Sequence, residues 1–168
     1  METKLENITI GQYIDVHKLS LIKNDNEVEQ NIEFIHITTG KSIQEIEEMD
    51  MFEFRETLSN INIFEDSVNK YPLLTEINID SNQYKSTSKS GFTFNVKQIS
   101  LLSAYVKKNP TDYIDYLAAV IFKNVDKEGN IINDYSEEGI SIRAKQFRNK
   151  LTMDIITPYL HLIIKHIK

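Results

Sequence analysis

The sequence predicts a mainly α protein, with helical, bundle-like subdomains and one small β-hairpin. Apolar residues recur at helical spacing through most of the 168 residues. Side chains typical of helix caps precede several of these segments. One short stretch, 75–87, instead alternates apolar and polar residues around a polar turn, as a β-hairpin does.

Capping boxes mark three helices in the first half of the chain. In a capping box, the N-cap side chain accepts an N–H from the third helical residue, whose side chain reaches back. The pairs with this spacing are Thr9–Gln12, Asn24–Glu27 and Ser42–Glu45. Gly40 is a predicted stop after the second helix. A fourth helix is predicted from the stripe of Phe54, Leu58 and Ile61.

A break at Tyr71 and Pro72 ends this helical half. Ile77 and Ile79 then alternate with polar residues, which predicts the hairpin, and the small polar residues up to Gly91 predict a linker. The predicted parts are an acidic helical subdomain at 1–70, the hairpin and linker at 71–91, and a helical subdomain at 92–168 containing a variable loop at 124–139.

Four helices are predicted in the second half. Thr111 is expected to cap the second of them, and Pro158 either kinks the last helix or begins it. The entry and helix pair at 92–122 repeat the outline of residues 8–38. The four apolar stripes are Ile99–Leu102–Val106, Ile114–Leu117–Ala118–Ile121, Ile140–Ala144–Phe147–Leu151 and Ile155–Tyr159–Leu162–Ile163.

Charge is unevenly distributed along the chain, whose net charge is −6. Residues 1–70 carry 6 Lys or Arg and 15 Asp or Glu, a net −9, whereas residues 71–168 carry 13 and 10, a net +3. An acidic chain repels phosphate backbones, so nucleic acid is not expected as a partner. The asymmetry is compatible with contact to a basic partner, head-to-tail self-association into a homo-oligomer, or ordinary solvated helix faces.

Motifs that carry chemistry are incomplete in this sequence. Thr38–Ser42 ends like a P-loop, but Ile35 occupies the position of its first glycine. Asp126–Asn130 begins like a calcium loop, but Ile131 stands where that loop needs glycine. We therefore predict no catalytic, cofactor-binding or metal-binding residue, and no enzyme. The four histidines lack the spacing of two metal ligands on one helical face: His17, His36, His161 and His166.

Two further features bear on partners. The acidic run from Glu45 to Glu56 is either a solvated face or a docking surface for a basic partner. No apolar run is long enough to span a bilayer and Met1–Lys4 lacks the start of a signal peptide, so we expect a soluble intracellular protein without a membrane partner.

The order of segments in the second half resembles one family. In chain order these segments are Gln83–Lys85, Phe92–Phe94, Asp112–Phe122, Asp134–Tyr135 and Arg143–Phe147. Together with the helix entries Ile8–Asp15 and Thr39–Ile46 of the first half, this order is similar to that of small helical tail-assembly chaperones and related morphogenesis proteins of tailed bacteriophages.

The resemblance implies a non-enzymatic assembly protein, foremost a tail-assembly chaperone that binds another virion protein. The alternatives are a structural subunit of the neck or tail, as a ring or collar, and a phage regulator that binds a host protein. It also implies a location in the host cytoplasm or in the virion. Most of the likeness lies in the second half, where the predicted partner-binding residues are Tyr113, Tyr116, Tyr135, Arg143 and Phe147.

Overall fold

The computed structural model describes residues 3–22, 26–61, 70–86 and 94–167. These residues form eight α-helices and three short strands, which confirms the mainly α class. None of these helices combines the length and the apolar character that crossing a bilayer requires. Their bounds are α1 Ile10–Leu21, α2 Glu27–Thr39, α3 Ile43–Glu47, α4 Met51–Ser59, α5 Val96–Lys108, α6 Ile114–Ile121, α7 Glu137–Lys150, α8 Met153–His166, β1 Glu76–Ile79, β2 Asn82–Ser86 and β3 Phe122–Asn124.

Two of the three predicted capping boxes are present, at the starts of α1 and α3. In the first, the Thr9 hydroxyl accepts the Gln12 N–H at 3.3 Å and the Gln12 side chain accepts the Thr9 N–H at 2.9 Å. The prediction of a box at Asn24 and Glu27 was wrong, because α2 begins at Glu27 and is capped by the Asn26 side chain; Asn24 itself lies outside the described residues. Gly40 ends α2 as predicted, with φ at 74°.

The hairpin is confirmed, and a third strand joins it. β1 pairs antiparallel with β2, and Asp80 in the turn has φ at 53°. β3 adds to the other edge of β2, so the strand order is β1-β2-β3. The sequence did not predict β3, because Phe122 continues the apolar period of α6 and nothing breaks the pattern before the chain extends.

The entry into α6 differs from the prediction. Asn109, not Thr111, is the cap, since its side chain accepts the Thr111 N–H at 3.2 Å and starts a 3-10 turn at Pro110–Tyr113. The turn continues directly into α6. Of the two alternatives for Pro158, the helix interior is correct: it lies within α8, which begins at Met153.

The core centres on α6, whose residues are all buried except Tyr116. A helix that is apolar on almost every side must be enclosed, and α1, α5, α7, α8 and β3 contact this one. The main cluster therefore draws on both sides of the predicted boundary, with Ile8, Ile10 and Ile14 packing in the same cluster as the second half. A small separate cluster of Ile35, Ile46 and Phe54 joins α2, α3 and α4.

The first and second halves are also joined through their backbones. Ile10 donates its N–H to the Leu151 carbonyl, and Met153 donates to the Ile8 carbonyl, each at 2.9 Å. Beside this bridge, α1 approaches α7 so closely that a Cβ added at Gly11 would lie 2.8 Å from the carbonyl oxygen of Arg148. Only glycine leaves room for this contact.

The substitution Gly11→Ala tests the close approach. Alanine improves helix propensity by up to about 1 kcal/mol, so without the clash it would stabilise the protein. Because the obstacle is backbone, we expect a loss of roughly 1–3 kcal/mol in the free energy of unfolding, measured by urea denaturation. The control Ser20→Ala, at an exposed position of the same helix, should change stability by less than about 0.5 kcal/mol. A stabilised Gly11→Ala variant would contradict the packing of α1 on α7.

Candidate functional site

Three tyrosines meet at the surface where α5 and α6 adjoin. The ring centroids of Tyr105 and Tyr113 are 5.4 Å apart, those of Tyr105 and Tyr116 are 5.3 Å apart, and those of Tyr113 and Tyr116 are 5.8 Å apart. The Nζ of Lys108 lies 5.1 Å from the centroid of Tyr113 and 5.9 Å from that of Tyr105. We call these three rings the tyrosine cluster.

Helical spacing and one turn build the cluster. Tyr105 and Lys108 are three residues apart near the end of α5, and therefore share a face. The cap at Asn109 and the 3-10 turn bring the chain back, so that Tyr113 and Tyr116, again three residues apart, meet that face. The cluster thus depends on a short, capped connection between two helices that pack together.

The cluster is partly open to solvent. All three rings are partly buried, and Tyr105 and Tyr116 also pack against the main core. Burial raises the pKa of Tyr105, and the neighbouring Tyr116 adds to the effect. In its protonated form, the Tyr105 hydroxyl can donate a hydrogen bond. Fixed rings with polar tips are well suited to contact another protein surface.

A buried carboxylate, that of Asp115, contacts the backbone of one residue of the tyrosine cluster. Asp115 is buried, and its side chain accepts the N–H of Tyr116 at 2.9 Å. Arg148 approaches Asp115 at 3.7 Å and binds the exposed Asp15 at 2.9 Å, so one guanidinium links α1, α6 and α7. Burial raises the pKa of the Asp115 carboxyl, while the Tyr116 N–H and Arg148 oppose that rise.

Two of the five predicted partner-binding residues, Tyr113 and Tyr116, come together in this cluster. The sequence analysis missed Tyr105, although its position near the end of the preceding predicted helix indicated it. Two helices joined by a short turn place the end of the first beside the start of the second. Tyr105 lies at that end, shortly before Asn109 and Pro110.

Tyr135 lies apart from the cluster, on the loop between β3 and α7. Its hydroxyl accepts hydrogen bonds from Lys123 and, at 2.7 Å, from the Asn95 side chain. Lys123 is fully buried, and its Nζ also lies 4.0 Å from the Tyr135 ring centroid and 3.0 Å from the Asn133 side-chain oxygen. Tyr135 thus covers a buried cation and holds the loop to the sheet.

Arg143 and Phe147 belong to the interior. Arg143 is 4% exposed and Phe147 is fully buried, so neither side chain offers surface to a partner. The Nε of Arg143 donates to the Ala119 carbonyl at 3.1 Å, and its Nη2 donates to the Asp134 carbonyl at 2.8 Å. A partner-binding role, as predicted from the sequence, would require an exposed Arg143; the side chain instead lies on the buried face of α7, where these carbonyls satisfy its guanidinium.

Phe147 has a structural contact of its own. Its ring meets that of Tyr84 edge to face, with centroids 4.9 Å apart. The Tyr84 hydroxyl donates to the Gln146 side chain at 2.5 Å. Phe147 therefore fixes the hairpin against α7.

The two motif fragments have structural explanations. Thr38–Ser42 forms the end of α2 and the cap of α3, beside a polar cavity of about 420 Å³. Asp126 closes a surface turn by accepting the N–H groups of Glu128 and Asn130. In the part of the chain that the structure describes, no three His, Asp or Glu side chains are grouped to hold a metal ion.

Substitution of Arg148 tests whether its guanidinium compensates the buried carboxylate of Asp115. An acid whose pKa is raised on folding destabilises the fold once the pH exceeds its ordinary value of about 3.9. Arg148→Ala removes an opposing cation, so we expect a loss of about 1–3 kcal/mol at neutral pH. This loss should shrink as acidification protonates Asp115. Urea denaturation of the variant and of the original protein, at neutral and at acidic pH, measures the loss at each pH.

Asp15→Ala is the control for that comparison. It removes only the exposed carboxylate that pairs with Arg148, so the expected loss in the free energy of unfolding is below about 1 kcal/mol at either pH. An Arg148→Ala loss that did not change with pH would show that the cation does not compensate the buried carboxylate.

Comparisons with protein-family models, with curated proteins and with solved structures found no match to this chain.

Proposed function

We propose that this protein is a non-enzymatic assembly protein of a tailed bacteriophage, a tail-assembly chaperone that binds another virion protein in the host cytoplasm. Two independent features support the proposal. The order of segments resembles that of such proteins, above all in the second half. The tyrosine cluster lies in the same half and supplies a surface that a partner can contact.

The tyrosine cluster is the observation that carries the proposal. Tyrosine is enriched in protein interfaces and among the residues whose truncation weakens binding most. Its ring buries a large apolar area, while its hydroxyl can satisfy a polar group of the partner. Here the rings contact one another before any partner arrives. Little conformational entropy is then lost when a partner binds.

The position of the cluster suits a binding role. Tyr105 and Tyr116 pack against the main core, whereas Tyr113 lies at the end of the 3-10 turn and is not among the residues packed there. Lys108 adds a positive charge over two of the rings, which favours a partner with carboxylates near an apolar stripe. An amphipathic helix with acidic residues beside its apolar face would have this combination of features.

Co-purification with the long tail protein of the same phage tests the proposal. Tyr113→Ala should weaken that binding by on the order of tenfold or more, because it removes one of the three rings of the cluster. Tyr113→Phe keeps the ring and should bind nearly as well as the original protein. Thermal unfolding of both variants should stay close to that of the original protein, since Tyr113 is only partly buried. If the original protein, Tyr113→Ala and Tyr113→Phe all bound equally well, the tyrosine cluster would not be part of the interface.

Mass spectrometry of purified particles separates the alternatives. Absence from particles, together with co-purification of the tail protein, is the result expected for a chaperone. Presence at the stoichiometry of a ring would instead identify a structural subunit of the neck or tail. Co-purification with a host protein alone would identify a regulator that binds the host.

A further inference from the structure

Two apolar side chains at the start of α4, in the acidic first half, are exposed to solvent. The ring of Phe52, in the first turn of α4, is 79% exposed, and Met51 beside it is 61% exposed. Exposed apolar residues are common one by one, so a contact surface is indicated only by the features around them. Phe52 and Glu56 are four residues apart, so they share the outer face of the helix.

Carboxylates outnumber cations on this surface, where Arg55, three residues after Phe52, is the basic side chain of α4. No ion pair joins these carboxylates to a cation in the described part of the chain. We call this surface of α3 and α4, with Met51 and Phe52, the acidic face. Its exposed carboxylates are Glu45, Glu47, Glu48, Asp50, Glu53 and Glu56.

A cleft with the opposite character lies in the second half. It has a volume of about 310 Å³ and separates the hairpin turn from α7. Ile142, which is 62% exposed, provides its apolar lining, and Lys145 and Lys150 stand at its sides. Glu138, one turn before Ile142, does not line it. We call it the α7 cleft.

The charge of the α7 cleft is only partly compensated. Lys150 lies 3.7 Å from Asp80, but both side chains are more than half exposed, so water weakens the pair. Lys145 has no ion pair within the described ranges. The cleft thus combines an apolar lining with a net positive rim, the complement of an apolar ring among carboxylates.

We infer that a second copy of this chain occupies the α7 cleft, with Phe52 of one copy inserted beside Ile142 of the next. Like charges oppose a contact of the acidic face with another acidic face, or of the lysine-lined cleft with another cleft, so each contact joins one acidic face to one cleft. Two copies can make this contact twice across a two-fold axis. If the contact instead runs head to tail, it repeats from copy to copy and produces a ring if the rotation closes, or an open chain if it does not.

This self-association is independent of the proposed function. The tyrosine cluster belongs to neither surface, so a partner can bind there whether or not the copies associate. Loss of one activity in a variant therefore leaves the other measurable.

Sedimentation velocity over a range of protein concentrations at low salt tests the inference. The original protein should form larger species as its concentration rises, and added salt should reverse this because exposed charges contribute. Phe52→Ser and Lys145→Glu should each weaken association by about tenfold or more. Both positions are exposed, so both variants should fold.

An equimolar mixture of the two variants gives the sharpest result. The Phe52→Ser variant keeps an intact α7 cleft, and the Lys145→Glu variant keeps an intact acidic face. The acidic face of the second variant can therefore still bind the cleft of the first. The mixture should form a dimer of one copy of each variant that grows no further. Val96→Ser changes an exposed apolar residue outside both surfaces and should associate like the original protein.

Three results would overturn the inference. The first is a monomer at every concentration of the original protein. The second is unchanged association of either single variant. The third is a mixture of variants that contains only monomers.

Discussion

The burial of α6 is the constraint on which the rest of this structure depends. This helix is apolar on almost every side, and only Tyr116 reaches toward solvent. Helix–helix packing on one side would leave most of its apolar surface in water, so several elements must enclose it. Elements from both ends of the chain do so, with α1 arriving from the first half and α7 and α8 from the second.

The polar groups inside the fold follow from that enclosure. Asp115 is the charged residue of α6, and its burial is compatible with folding because Arg148 and the Tyr116 N–H face it. Lys123 and Arg143 are buried where the chain leaves the core for a polar loop, and their donors satisfy oxygens of that loop. The same side chains that satisfy buried atoms therefore fix the loop. Two rings of the tyrosine cluster pack on this main core. The helices α2, α3 and α4 pack instead around the small separate group of Ile35, Ile46 and Phe54.

Local patterns in the sequence predicted most of the elements. Spacing and caps placed α1, α3 and the hairpin, because these signals depend on neighbours along the chain. The cap of α2 was misplaced because Asn24 and Asn26 are equally suitable residues, and the sequence does not show which one the backbone uses. β3 was missed because strand pairing with β2 comes from tertiary contact, not from the local pattern.

The candidate site was only partly predictable for a similar reason. Tyr113 and Tyr116 were identified because they lie close in sequence, whereas Tyr105 required the fold of the helix pair. Arg143 was expected outside because charge usually indicates solvent, but three-dimensional packing brings two carbonyl oxygens to its guanidinium. Burial of a charged residue depends on partners that are distant in sequence, here 24 residues away at Ala119.

Native-state hydrogen exchange tests most directly the claim that α6 unites both halves of the chain. Amides of α1 and α6 should exchange only through global unfolding, with the same free energy and the same denaturant dependence. Amides of α2 and α4 should exchange at lower free energy, through local opening of their separate cluster. Exchange of α1 at a lower free energy than α6 would contradict the account, because it would show that the first half opens without disturbing the central helix.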